Sequence, residues 1–199
     1  MVTRMKPTAL RVLLLDGHLT DTTVIERELN RLDLPVDTML IHDVGELEGA
    51  LTSFAPDVIV ADHPLIQTDL AAVVERSRSL RPAAPVIVLA DPKDAPAAVN
   101  MVRAGVVAVV FTNDLGRLRP AIDTAVSERA RLKTLSPRQI EVLRLVAKGL
   151  TTRAIAEQLG LSEKTVETHR TELMKRLDIH DLARLVRFAV RMDLVDDGS

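Results

Sequence analysis

What most constrains this chain is a change of rhythm near residue 132. Before it, five short apolar runs rich in β-branched residues alternate with amphipathic stretches; after it, the apolar residues recur only at helical spacing. The runs are Leu10 to Leu15, Val36 to Ile41, Asp57 to Ala61, Pro85 to Ala90 and Val106 to Phe111. At least three are apolar nearly throughout, as strands are when both faces of a parallel sheet are covered. The amphipathic stretches lie near 21 to 32, 44 to 54, 69 to 80, 95 to 104 and 114 to 132. This alternation predicts an α/β doubly wound (βα)5 domain with a parallel five-stranded sheet over 1–132. Asp43, Asp94 and Asn113 or Asp114 stand where helix N-caps are needed. A short linker, 133–136, then leads to an all-α four-helix domain over 137–199. No flexible Gly/Ser or Pro-rich tether separates the two, which predicts semi-rigid coupling.

Composition narrows the function classes. Zero cysteines exclude disulfides, thiolate metal sites and cysteine nucleophiles. The absence of Trp and Tyr removes the usual stacking platforms for single-stranded nucleic acid and leaves duplex DNA open. No run approaches the roughly 20 apolar residues of a membrane helix. Arg4 and Lys6 precede a run of strand length that ends in Asp16, unlike a signal peptide, so a cytoplasmic protein with no membrane partner is expected. Residues 1–130 carry 13 Lys/Arg against 18 Asp/Glu, a net of −5, and residues 131–199 carry 13 against 10, a net of +3. Contact with phosphates is therefore expected of the second half alone.

That second half opens with three agreeing helix signals. Ser136 is a hydroxyl N-cap, Pro137 sits at the first helical position, and Gln139 closes a capping box. Ile140, Leu143, Val146 and Ala147 form its buried stripe, and Lys148-Gly149 ends it. A second helix is expected from Thr152 to Leu159, a break at Gly160-Leu161, and a third helix capped by Ser162. Two short helices joined by a tight turn containing Gly form a helix-turn-helix. On the third helix, at about 100° per residue, Val166, Leu173 and Leu177 face the core. Lys164, Thr168, Thr171 and Lys175 cluster opposite, with Glu167 at the edge and Arg170 nearer the core. Short hydroxyls between two cations suit a major groove flanked by phosphates. A fourth helix, Asp181 to about Met192, presents Leu182, Leu185, Val186, Ala189 and Val190, with Arg184, Arg187 and Arg191 outside.

From Leu135 to Leu194 the chain resembles the DNA-binding domain of the NarL/FixJ, or LuxR-type, response regulators. The resemblance rests on Leu135-Ser136-Pro137-Arg138, Glu141-Val142-Leu143, Ala147-Lys148-Gly149, Ile155-Ala156, Leu161-Ser162, Thr165-Val166, His169-Arg170, Lys175, Leu177 and Leu185 to Val190. It implies a transcription regulator that binds promoter duplex DNA as a homodimer paired through the last helix. Glu167, Thr168 and Thr171 would face bases, while Lys164, Thr165, Arg170 and Lys175 would support phosphate contacts. Glu167 departs from the Lys usual in the family, and a carboxylate there could accept from cytosine N4.

Residues 10–132 similarly resemble the family's receiver domain, with Asp16 ending the first strand and Asp62 in the phosphoacceptor position. Phosphoryl transfer to a carboxylate needs Mg²⁺ held by several oxygens, and positive charge to offset the phosphate. Where family receivers carry a second acidic residue, a hydroxyl switch, a lysine and an aromatic partner, this chain has Gly17, Ala90, Thr112 and Val109. Lys93 is the best substitute cation. His18 and His63 follow the two acids and have the chemistry to hold a transition metal with them, yet no metal site is expected. The expectation is an atypical receiver with no cofactor, Mg²⁺ being needed only if Asp62 is phosphorylated. A regulatory protein or small ligand would then supply the input. Two alternatives stay open: a regulator phosphorylated on Asp62 by a histidine kinase, and an interaction module that has lost DNA binding. With no phosphate-binding glycine loop and no nucleophile–base pair, an enzyme is not expected.

Overall fold

The computed structural model describes residues 9–16, 22–32, 34–63, 70–80, 83–192 and 194–195. Its strands are β1 (Leu10–Leu15), β2 (Val36–Ile41), β3 (Val58–Asp62), β4 (Val86–Ala90) and β5 (Ala108–Phe111). All pair in parallel, in the order β2-β1-β3-β4-β5. The central strands β3 and β4 are buried at every residue, whereas β2 and β5, at the edges, are buried at few. Strand alternation sorts the core into two faces. Val12, Leu14, Val58, Val60, Ile87 and Leu89 pack with Ile25 and Leu29 of α1 (Thr22–Leu29) and with Leu118 and Ile122 of α5 (Leu118–Lys133). Leu13, Leu15, Ile59, Ala61, Val88 and Ala90 face Leu47 and Leu51 of α2 (Leu47–Phe54), Val73 and Val74 of α3 (Leu70–Ser77), and Met101 of α4 (Ala98–Arg103). That is the doubly wound arrangement the sequence predicts.

Two capping expectations need correction. Asp43 does cap, accepting from the Gly45 amide at 2.7 Å. After β4, however, the cap is Asp91, which accepts from the Lys93 amide at 2.9 Å, and Asp94 is already inside the turn. Pro92, at the first position, fixes that start. The segment Pro92–Ala97 is a 3-10 turn because Pro96 has no N–H to give an α-helical ladder, so α4 begins only at Ala98. After β5 neither Asn113 nor Asp114 caps: Phe111 holds the cap position with no side-chain bond, and Asp114 sits at φ −140°, ψ 55°.

The all-α part contains α6 (Pro137–Ala147), α7 (Thr152–Leu159), α8 (Glu163–Leu177) and α9 (Leu182–Arg191). The chain divides into two compact units, 1–126 and 127–199. The division falls earlier than the expected linker at 133–136, because Leu132 is buried with the helical core and not with the sheet. Among the described residues, no helix is long and apolar enough to cross a membrane.

Candidate nucleic-acid interface

The interface is built from the caps inward. The Ser136 hydroxyl accepts from the Gln139 amide at 3.2 Å while the Gln139 side-chain oxygen accepts from the Ser136 amide at 3.0 Å, completing the capping box. Thr151 caps α7 through the Ala154 amide. Gly160 ends α7 in the left-handed region, φ 65°, which lets the chain turn within two residues before Ser162 caps α8. Ser162 accepts from the Thr165 amide at 3.1 Å, and the Ser162 and Thr165 hydroxyls lie 2.8 Å apart. α8 is thus held at its N-terminal end by its own first turn.

Burial fixes which way α8 faces. Val166, Leu173 and Leu177 are essentially inaccessible and pack with Val142, Leu143, Ile155 and Leu185. Lys164, Glu167, Thr168, Thr171 and Lys175 are all exposed, and Thr165 and Arg170 are half-buried. Thr168 donates its hydroxyl back to the Lys164 carbonyl at 2.9 Å, so toward solvent it presents lone pairs and a methyl group. Among the described residues, the side chains of Lys164, Glu167, Thr171 and Lys175 make no hydrogen bond or ion pair. An unpaired, two-signed polar stripe along one helix can exchange water for base edges and phosphates without first breaking internal bonds.

Several residues that fix α8 are not evident from the local pattern. Gln139, 2% exposed, also donates to Glu172 of α8 at 3.2 Å, tying the start of α6 to the middle of α8. Arg176 donates to the Thr134 carbonyl and Arg131 to the Leu177 carbonyl, binding the end of α8 to the segment before α6. Arg138 reaches the Leu159 carbonyl at the end of α7. The capping box itself was a readable signal for Gln139; the other three pairs span 21 to 46 residues and have none.

In the α/β unit, Asp16 and Asp62 are both buried at the carboxyl ends of adjacent strands, one position beyond the Leu15–Ala61 register pair in the case of Asp16. Ala90 is fully buried in the core at the end of β4. Thr112 is half-buried at the start of the turn after β5. Lys93 is exposed and lies 3.7 Å from Asp91. His63, beside Asp62, is buried, and its Nδ1 lies 3.2 Å from Asp94 Oδ2. Gly17 and His18 lie outside the described residues, and among those described no group of three or more His, Asp or Glu could hold a metal. For the Mg²⁺ that phosphorylation of Asp62 would need, Asp16 and Asp62 are the carboxylates that the ends of β1 and β3 supply, and glycine at 17 adds none.

Residues 133–189 match the model for bacterial regulatory proteins of the luxR family. A putative transcriptional regulator from Pseudomonas aeruginosa is 32% identical over 162 residues, covering 71% of this chain and 78% of its own. This chain belongs to the LuxR-type, or NarL/FixJ, family of response regulators. The transcriptional regulatory protein FixJ from Rhizobium meliloti is 31% identical over 160 residues, again covering 71% of this chain and 78% of its own length. A crystal structure of full-length FixJ from B. japonicum is similar along 95% of this chain and 100% of its own, at 22% identity and TM-score 0.49.

Proposed function

We propose that this LuxR-type regulator acts as a cytoplasmic homodimer that places α8 in the major groove of promoter DNA and is controlled without a phosphate on Asp62. The observation that carries the first part is the exposed, unpaired stripe of Lys164, Glu167, Thr171 and Lys175 on the second helix of a helix-turn-helix. In that motif the second helix enters the groove with its N-terminal residues toward base edges. Lys164 and Lys175 stand as phosphate contacts, Glu167, Thr168 and Thr171 as base contacts, and Thr165 and Arg170 as flanking support. Leu182 and Val190, about half-exposed on α9, offer an apolar surface for pairing. The domain limits that go with this reading are a receiver-like unit and a helix-turn-helix unit that takes in the end of α5 from Ser127 onward.

Independence from phosphorylation rests on what stands around Asp62. A buried alanine has no hydroxyl to follow a phosphate, Thr112 carries no charge, and Lys93 lies beside Asp91. The input is then a partner protein or a small ligand.

Two experiments test the proposal. A promoter duplex found by genome-wide footprinting should bind with a log K that falls linearly with log salt. Lys164→Ala with Lys175→Ala should weaken it and reduce the slope by about 2, one per phosphate contact. Absence of salt-dependent duplex binding would leave an interaction module without DNA binding, and binding that ignores both substitutions would take Lys164 and Lys175 out of the interface. Separately, acetyl phosphate with Mg²⁺ should leave the mass of the protein unchanged; a phosphate adduct lost in Asp62→Ala would make it an ordinary phosphorylated regulator.

A further inference from the structure

Beside α9, away from the DNA-facing stripe, lies a cleft of about 220 Å³ within the unit formed by residues 127–199. Its floor is apolar, made by Ile179 and the buried ring of Phe188, and its walls carry four guanidinium groups, Arg131, Arg184, Arg187 and Arg191, against one carboxylate, Glu128. Charge pairing inside it is uneven. Glu128 is taken up by Arg191, whose Nη2 and Nε reach its two oxygens at 2.5 and 3.1 Å. Arg184 faces Asp181 at 3.2 Å. Arg131 donates to a neutral acceptor, the Leu177 carbonyl at 3.3 Å, and Arg187 makes no hydrogen bond or ion pair among the described residues. Two positive charges thus line one small concavity with no counter-ion among the described residues. That is too small a volume for a drug-sized ligand, which typically needs roughly 300 Å³ or more.

We infer that this cleft is a binding site for a phosphate dianion, held between Arg131 and Arg187. Each guanidinium can offer two parallel N–H groups to the oxygens of one phosphate, and two cations balance its charge. Arg131 lies on α5 and Arg187 on α9, so the bound anion would staple the two helices together and stabilise the helical unit by mass action. Two observations separate the cleft from the surfaces already proposed. No residue of α8 lines it. On α9, Arg184, Arg187 and Arg191 lie on one flank of the buried stripe formed by Leu185, Phe188 and Ala189, and Leu182, Val186 and Val190 lie on the other. A free anion can therefore occupy the cleft while DNA and a second subunit occupy theirs. The inference does not rest on the DNA-binding reading.

Calorimetric titration of the full chain decides it, using inorganic phosphate and, separately, glycerol phosphate as the monoester, at constant ionic strength set with sodium chloride. One saturable site per chain is expected for at least one of them, and the stronger of the two identifies the source. Arg187→Gln should weaken it about tenfold, the loss of one charge-assisted pair, and Arg187→Lys should restore part of that. Because the Arg187 side chain is exposed and unpaired, neither variant endangers folding. Heat no greater than that of added chloride, or binding untouched by Arg187→Gln, would overturn the inference. So would silence toward both anions combined with a loss of duplex affinity in Arg187→Gln equal to that in Lys164→Ala, since the cleft would then be a contact for the DNA backbone.

Discussion

At Glu167 an exposed carboxylate stands in the second turn of α8, beside two threonines and between two lysines. A carboxylate is repelled by phosphate and can only accept, so in a major groove its one good partner is the exocyclic amino group of cytosine, or of adenine at poorer geometry. Glu167→Lys should therefore both tighten binding at low salt and change the base preferred at one position. Selection from a random duplex library reads both, and discrimination at that position should move by about 1–3 kcal/mol. An unchanged preference would place Glu167 outside the groove. Glycines give a second residue-scale test. Gly105 sits at φ 101°, and a β-carbon there would come within 2.9 Å of a Val74 methyl group. At Gly160, φ 65°, nothing stands within 4 Å. Gly160→Ala should cost about 1 kcal/mol of backbone strain alone. Gly105→Ala carries a worse backbone conformation and a clash in the sheet core, and should cost about 2–3 kcal/mol in denaturant midpoints.

Elements were legible in the sequence where local chemistry and apolar period agreed. The Ser136-Pro137 start is an instance, since a hydroxyl cap, a proline at the first position and a glutamine three residues on all point one way. The same cap-plus-proline signal exists at Asp91-Pro92, yet the expectation settled on Asp94, because the amphipathic period begins only after the 3-10 turn that Pro96 imposes. Periodicity finds α-helices and is blind to the tighter turn before them. Pairings between elements were not legible at all: His63 meets Asp94 across 31 residues and Arg176 meets the Thr134 carbonyl across 42. For the interface, the exposed stripe of α8 follows from helical geometry, but what holds α8 in place does not. Gln139 connects these two levels. Gln139→Leu removes half of the capping box and the bond to Glu172, and should cost about 1–3 kcal/mol because Gln139 is buried. Gln139→Glu keeps an acceptor for the Ser136 amide while setting a carboxylate against Glu172. Duplex affinity should fall in both variants if that bond orients α8, whereas a fall in Gln139→Leu alone would assign the effect to the cap.

For the whole molecule, the question is where the helical unit begins. The change in sequence rhythm puts the start after Lys133, because the fifth amphipathic stretch belongs by pattern to the sheet. α5 in fact contributes to two cores along its length: Leu118, Ile122 and Ala125 are buried with the sheet, and Leu132 with the helices. Its last turns also supply Glu128 to Arg191 and Arg131 to the end of α8. A polypeptide starting at Ser127 keeps all three, and one starting at Thr134 loses them. Burial of a leucine is worth about 1.5–3 kcal/mol, and the exposed ion pair adds well under 1 kcal/mol. The longer fragment should therefore be more stable by about 2–3 kcal/mol in urea, with the larger share from Leu132. Leu132→Ala in the longer fragment checks the assignment, since it should recover most of the difference while Glu128 and Arg131 remain. If both fragments unfold at the same urea concentration, the end of α5 adds nothing to the helical unit. The functional boundary would then lie at 133–136, where the sequence alone puts it.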